Sequence, residues 1–357
     1  MSVPARDRSF TALSIDEAAE LLGSCTRALR AREWLYGDQP LPGELPEHVP
    51  GITPQAWAAL RERAPLPAHR LLRRDAAPDG TTKLVLELAG GARVETVLIP
   101  GPGRSTVCVS SQAGCTRQCA FCATASLGFG RQLTAGEIVL QFALARSFAP
   151  EGAPARNVVF MGMGEPMDNL DAVLPAVERF LENPCPALGT EHVTVSTAGV
   201  APGMERFLRE SQALLALSLN ATTDEQRERL MPHNRRWPIA ALLDVLRRDA
   251  AAATGRRYFV GYVLFDGEND SDGDARRLVG LLSGLPAHVN LIPHNPWAGN
   301  PCRPSPPERV LGFQAVLRSA GVRCLIRWPR GREISAACGQ LALLGQSQDG
   351  RRAEAST

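Results

Sequence analysis

Residues 115–122 read CTRQCAFC. Cys115, Cys119 and Cys122 stand with three and then two residues between them, and Phe121 sits beside the last. A disulfide framework would want an even number of thiols and an oxidising compartment, and a tetrahedral structural zinc would want a fourth ligand. Soft thiolates select iron–sulfur clusters, zinc or copper(I). A cubane cluster takes one ligand per iron, so three cysteines leave one iron open. The competing reading is zinc, with Cys108 or a histidine completing the set, although zinc spacings are usually CxxC.

The rhythm around this loop indicates the fold. From residue 106 short apolar strands alternate with amphipathic segments: TVCVSS, NVVFMG, HVTVST, ALLALSLN, RYFVGYVLF and HVNLIP, each followed by a helical stretch, and then a last strand, VRCLIRW. Such alternation predicts a parallel sheet with helical crossovers. Six strand–helix units are too few for an eightfold barrel, so an open, partial (β/α)6 barrel is expected. In parallel α/β folds the chemistry gathers at the C-terminal ends of strands. Cys115 follows the first strand, Gly164 and Glu165 the second, Ser196 the third, Asn220 the fourth and Asn295 the sixth. One mouth therefore collects them.

Upstream, SIDEAAELLG and TPQAWAALRERA read as helices separated by the Pro-rich DQPLPGELPEHVPGI, and Ser14 with Glu17 forms a capping box. TTKLVLELAGG and ARVETVLIP alternate and are broken by glycine, the signature of an antiparallel hairpin. The expected organisation is a helical RNA-binding accessory domain at 1–66, a hairpin extension at 67–100, a core at 101–345 and a disordered tail at 346–357.

No run of about 18 apolar residues occurs, so no membrane partner is expected. MSVPARDRSFTALSIDEAAE has no apolar stretch before its acidic residues and does not read as a signal peptide. The cytoplasm is the expected compartment, where nine cysteines stay reduced. The net charge of +2 does not indicate nucleic acid by itself. Its make-up is unusual: Lys83 is the single lysine, and arginines cluster at 27–33, 69–75, 227–237, 254–258 and 327–333. Guanidinium suits phosphate contact and stacking on bases, but solvated surface is the simpler reading of composition alone.

An open iron accepts a chelate through an amino and a carboxylate group, the pair that S-adenosylmethionine offers, and reduction of its sulfonium yields a 5′-deoxyadenosyl radical. Here the motifs speak together. CVSSQAGCTRQCAFCATASLGFGRQL, NVVFMGMGEPMDNL, VTVSTAGV, ALSLNATTDEQRERLMPHNRRWPI, LIPHNPW and AACGQL resemble the RlmN/Cfr family of radical S-adenosylmethionine RNA adenosine methyltransferases, and the likeness runs from about residue 27 to 343. It implies methylation of an aromatic carbon of adenosine, carbon 2 ahead of carbon 8, in 23S ribosomal RNA and in transfer RNA. It further implies a 4Fe–4S cluster on Cys115, Cys119 and Cys122, two S-adenosylmethionine molecules per turnover, a reducing electron donor such as flavodoxin, and a monomer.

That reaction has a physical difficulty. The ring carbon and the sulfonium methyl are both electrophilic, so a carrier is needed. Cys338 in AACGQL suits a thiolate that takes the methyl by displacement. The resemblance implies that Cys108 releases the product by closing a transient disulfide with Cys338, and that Glu95 accepts the ring proton. Gly164 and Glu165 resemble the turn that holds the methionyl amino group, and Ser196, Ser218, Leu219, Asn220 and Asn295 match the remaining S-adenosylmethionine contacts. Departures exist: SLNA stands where relatives commonly read SLHA, and His233 and His294 sit where many carry Ile and Trp. Trp237, Trp297 and Trp328 are candidates to stack on a flipped-out adenine. The alternatives are methylation of carbon 8 or of another RNA base and, from a different class, a zinc-stabilised RNA-binding protein without catalysis.

Overall fold

A computed structural model describes residues 7–37, 39–184, 186–252 and 255–343; Cys185 and the tail 346–357 lie outside the described residues. Three helices open the chain, α1 (Ile15–Leu22), α2 (Cys25–Leu35) and α3 (Pro54–Arg63). The capping box forms as read: Ser14 Oγ accepts the Glu17 N–H at 3.1 Å, and Glu17 Oε2 accepts the Ser14 N–H at 2.8 Å. Such a cap contributes about 1 kcal/mol to a helix too short to stand alone. Phe10, Trp34 and Trp57 pack ring against ring with centroids 6.0–6.4 Å apart. The bundle docks on helix α4 (Ala135–Arg146) through the Tyr36 and Phe142 rings, and the Thr11 hydroxyl donates to the Gly136 carbonyl at 2.8 Å. The fully buried Arg32 adds an ion pair to Glu182 at 2.8 Å.

Ten strands form one sheet. β1 (His69–Ala76), β2 (Thr82–Leu88), β3 (Arg93–Gly101) and β4 (Arg104–Cys108) run antiparallel in order. From β4 the sheet turns parallel through β7 (Ala155–Phe160), β8 (Val193–Thr197), β9 (Leu214–Ser218), β10 (Tyr258–Leu264), β11 (Ala287–Pro293) and β12 (Cys324–Ile326). The crossovers carry α4, α5 (Leu170–Leu181), α6 (Ala201–Glu210), α7 (Asp224–Leu230), α8 (Ile239–Ala251), α9 (Asp272–Leu282) and α10 (Pro307–Ser319). A short second sheet, β5 (Gln112–Gly114) with β6 (Phe129–Gln132), brackets the cysteine loop.

The open (β/α)6 barrel is thus as expected. Along β8 and β10 buried residues alternate with half-buried ones, because one face packs under helices while the other lines an unfilled interior. The hairpin extends the barrel's own sheet, and HRLLRRD, read only as an arginine cluster, supplies the edge strand β1. Charged residues protect such an edge from pairing with other chains. Among the described residues no helix is long and apolar enough to cross a membrane.

Candidate active site

The cysteine loop leaves the barrel directly after β4. Gly114 has φ +78°, and a Cβ there would lie 1.9 Å from the Gly128 carbonyl oxygen, so only glycine lets the chain turn into Cys115. Backbone N–H groups pin the loop: Cys115 to the Gly128 carbonyl at 2.9 Å, Ala120 to Leu230 at 2.9 Å and Ala123 to Gly339 at 2.8 Å. Phe121 packs on Phe265 with centroids 5.2 Å apart, and the Trp297 indole donates to its carbonyl at 3.1 Å. The Arg117 guanidinium clasps Asp168.

The thiols of Cys115, Cys119 and Cys122 are all free. Burial pushes Cys115 up to about 12, with the Glu165 and Cys122 charges adding to the shift and the Arg117 N–H, 3.3 Å from its Sγ, opposing it. Burial raises Cys119 well above its ordinary value, and Cys122 and Cys115 raise it further. The three sulfurs therefore feel one another's charge in a site that disfavours bare thiolates, an environment that gains from cationic iron. A backbone N–H on a ligand sulfur is the kind of contact that tunes such a cluster. Among the described residues no three His, Cys, Asp or Glu side chains are grouped to hold a single metal ion. A cubane would spread its protein ligands over three separate irons.

The cofactor-turn residues converge beside this loop. Gly164, at φ +103°, would put a Cβ 2.6 Å from Gln112 Cβ and 2.7 Å from its backbone nitrogen. The Glu165 N–H donates to Gln112 Oε1 at 2.9 Å. Both Glu165 oxygens accept backbone N–H groups, Oε1 from Met167 at 3.0 Å and Oε2 from Ala198 at 2.7 Å, while burial drives its carboxyl upward. Glu165 thereby ties together the segments that follow β7 and β8. The Ser196 hydroxyl donates to the Phe160 carbonyl at 2.6 Å, Ser218 is half-buried at the end of β9, and Leu219 is buried. Asn220 sits at φ +58°, a left-handed setting that asparagine tolerates. Its Oδ1 accepts the Val263 N–H at 2.9 Å and its Nδ2 lies 3.3 Å from the Met231 sulfur, so its amide is tied up within the fold. Asn295 behaves otherwise: its Nδ2 donates to the Cys338 carbonyl at 3.2 Å while its buried Oδ1 has no partner.

Cys338 rides a loop strapped across the mouth. Gln340 Nε2 donates to the Pro296 carbonyl at 2.9 Å, and the Thr124 hydroxyl to Leu341 at 2.6 Å. Arg330 Nε meets Asp79 Oδ2 at 2.8 Å, joining the strap to the β1–β2 turn. The Cys338 side chain is open to solvent, yet the surrounding protein still pushes its thiol up, Cys122 adding to that and Arg327 opposing it. Cys108 is buried, and its thiol is driven far above the usual range by burial first and by the charge of Cys338 second. Cys338 thus lies within electrostatic reach of both Cys122 and Cys108. The two thiols are free, not bonded. Glu95 is fully buried on β3; its Oε2 accepts the Leu343 N–H at 3.3 Å, and its Oε1 lies 3.0 Å from Lys83 Nζ. Arg93, two residues before it, pairs with Glu87 at 3.2 Å.

Two residues escaped sequence reasoning. Arg227, grouped with the surface arginines, is fully buried beneath the cofactor turn. It donates to the carbonyls of Leu219 at 2.9 Å, Ser218 at 3.1 Å and Ala198, and burial lowers it to about 10. Lys83 was visible only as the single lysine of the chain. The histidine departures are packing residues: His233 Nε2 pairs with the Ala198 carbonyl at 2.8 Å, and the buried His294 ring lies 5.0 Å from Phe265. Of the three tryptophans, Trp328 is the exposed one, at 48 %.

A three-thiol loop after the first parallel strand, a glycine–glutamate turn after the second and an open six-unit barrel define a radical S-adenosylmethionine fold. Residues 109–279 match the Radical SAM superfamily. A solved radical SAM methyltransferase from Sphaerobacter thermophilus superposes with a TM-score of 0.86 at 40 % identity, over 93 % of this chain and 98 % of that one. A probable RNA methyltransferase of Sorangium cellulosum is 49 % identical over 80 % of this chain and 73 % of its own length. The dual-specificity RNA methyltransferase RlmN of Cereibacter sphaeroides is 46 % identical over 80 % and 75 % respectively. The chain belongs to the RlmN/Cfr family of radical S-adenosylmethionine RNA methyltransferases.

Proposed function

We propose that the enzyme methylates carbon 2 of adenosine in 23S ribosomal RNA and in transfer RNA, with Cys338 as the methyl carrier. A 4Fe–4S cluster on Cys115, Cys119 and Cys122, with S-adenosylmethionine bound, supplies a 5′-deoxyadenosyl radical. The protein's own groups do the rest. Cys338 Sγ displaces the methyl of a first S-adenosylmethionine: its S–H proton leaves, the S–CH3 bond forms, and S-adenosylhomocysteine departs. Once one hydrogen atom is removed from that methyl, the methylene carbon bonds to the ring. One electron passes from this adduct to an iron–sulfur acceptor as Glu95 accepts the ring proton. Cys108 Sγ then attacks Cys338 Sγ: the S–S bond forms, the S–CH2 bond breaks, and the proton that Cys108 gives up ends on the released carbon, so that the methylated base leaves. The resulting disulfide takes two electrons and two protons from a reducing donor before the next turnover.

The observation that carries this reading is that the Cys338 strap is bonded into the cysteine loop, the Gly339 carbonyl accepting the Ala123 N–H at 2.8 Å, with Cys108 near enough to feel the Cys338 charge. Carbon 2 is preferred because the close relatives are named RlmN. Residues 1–66 are assigned to RNA binding, 67–100 to the β-hairpin extension that carries Glu95, and 101–345 to the radical core and catalytic loop, in a cytoplasmic monomer. Mass spectrometry of modified adenosines in RNA from cells lacking and carrying the gene tests the assignment. Gain of 2-methyladenosine supports it; gain of 8-methyladenosine, or of neither, refutes it.

A further inference from the structure

Of 39 lysine and arginine side chains in this protein a single one is lysine, and it is not on the surface. Lys83 is 1 % exposed, its ammonium lies 3.0 Å from Oε1 of the fully buried Glu95, and it reaches the Ser335 carbonyl, three residues before Cys338, at 3.4 Å. Register explains the meeting. Lys83 on β2 pairs with Val97 on β3, and Val97 pairs with Cys108 on β4. Lys83, Val97 and Cys108 therefore form one cross-strand row, and Glu95, two residues from Val97, shares its face as the diagonal neighbour of Lys83. That face looks toward the Cys338 strap, since Glu95 Oε2 accepts the Leu343 N–H and Cys108 feels the charge of Cys338. On it the titratable groups of β2 to β4 beside Glu95 are Lys83, Cys108 and, on the other side, Arg93 and Glu87, which pair with each other, and the strap adds Cys338. Helix α4 packs on the opposite face, where Thr96 meets Gln141 at 2.8 Å, and β5 brings no titratable side chain.

We propose that Lys83 is a positioning residue for the methyl-transfer reaction, holding the Glu95 carboxylate aimed at the strap so that it can take the proton of the ring carbon. The proposal rests on the assignment of Glu95 as proton acceptor. In the proton transfer the C–H bond breaks, the O–H bond forms at Glu95, and the electron pair stays with the purine ring. An isolated buried carboxylate would bind a proton at neutral pH and cease to be a base, and a buried cation in contact keeps it charged. The choice of lysine follows from shape. A guanidinium fork engages both carboxylate oxygens side by side, whereas an ammonium is a point charge. Here Oε1 touches the ammonium without accepting an aligned hydrogen bond, so the carboxylate keeps a lone pair for the incoming proton. In a chain that otherwise uses only arginine, this is a chemical reason for one lysine.

The test compares Glu95→Gln and Lys83→Met, each loaded with cluster and assayed by gel and mass spectrometry for S-methylated Cys338, the covalent RNA–protein species and its release across pH. Glu95→Gln is expected to methylate Cys338 normally and to accumulate the covalent species. Lys83→Met is expected to do the same at pH 7, with release slowed about a hundredfold, the lower end of general-base effects. Stalling in Glu95→Gln with release at the native rate and pH dependence in Lys83→Met would overturn the role of Lys83 alone. Native release in Glu95→Gln would overturn the base assignment and this proposal with it. If Lys83→Met fails to fold, the infrared difference spectrum of native protein minus Glu95→Gln at pH 7 decides: carboxylate bands support the ion pair, and an acid carbonyl band refutes it.

Discussion

Gly164→Ala is the sharpest probe of the cofactor turn. An alanine Cβ would meet Gln112 Cβ at 2.6 Å and its backbone nitrogen at 2.7 Å, and φ is +103°. Strain at such a φ costs about 1–3 kcal/mol, and overpacking in a tight site about another 1–3 kcal/mol. The sum of about 2–6 kcal/mol is a large part of an ordinary folding stability of about 5–15 kcal/mol. The clash is also aimed. Gln112 accepts the Glu165 N–H, and Glu165 in turn holds the N–H groups of Met167 and Ala198, so pushing Gln112 back disorganises the ends of two strands. Gly90→Ala serves as the control, because Gly90 has φ +71° but nothing within 4 Å of a Cβ. Urea unfolding of the cluster-free proteins, with equilibrium dialysis of S-adenosylmethionine on the loaded ones, separates the contributions. Gly164→Ala should lose at least about 1 kcal/mol more than the control and at least about tenfold in affinity. Equal stabilities with native affinity would refute the reasoning.

Cys338→Ala should abolish RNA methylation and leave no S-methylcysteine in the purified protein, whereas activity retained without it would remove the carrier. Cys108→Ala should trap RNA covalently on Cys338, visible as a band that ribonuclease collapses; free RNA alone would count against the release role. His233, held down to about 4 by burial against an ordinary 6.5, takes up its proton more readily in the unfolded chain. Its contribution to stability is therefore present above about 6.5 and lost as pH falls toward 4. His233→Gln, which can still donate to the Ala198 carbonyl, should flatten urea midpoints over that window, and an unchanged slope would contradict the assignment.

The barrel was legible because each of its strands is a short apolar run followed by an amphipathic helix, and because the cysteine spacing marks the end of the first strand. β1 was not, since an edge strand carrying three arginines has the composition of a solvated surface. The site residues could be named but not their duties. Glu165 and Asn220 have side chains that complete backbone hydrogen bonds, which no spacing reveals. Lys83 and Glu95 are 12 positions apart in sequence, and only the register of β2 against β3 brings them together. Arg32 and Arg227 are inside because carbonyls and a carboxylate meet them there, a circumstance invisible in a count of arginines.

The whole account depends on three thiols that leave one iron without a protein ligand. Iron and acid-labile sulfide, measured on protein reconstituted without oxygen, test this most directly. The account predicts about four of each per chain, lost on replacing Cys115, Cys119 or Cys122 by alanine. Stoichiometric zinc with no iron would contradict it.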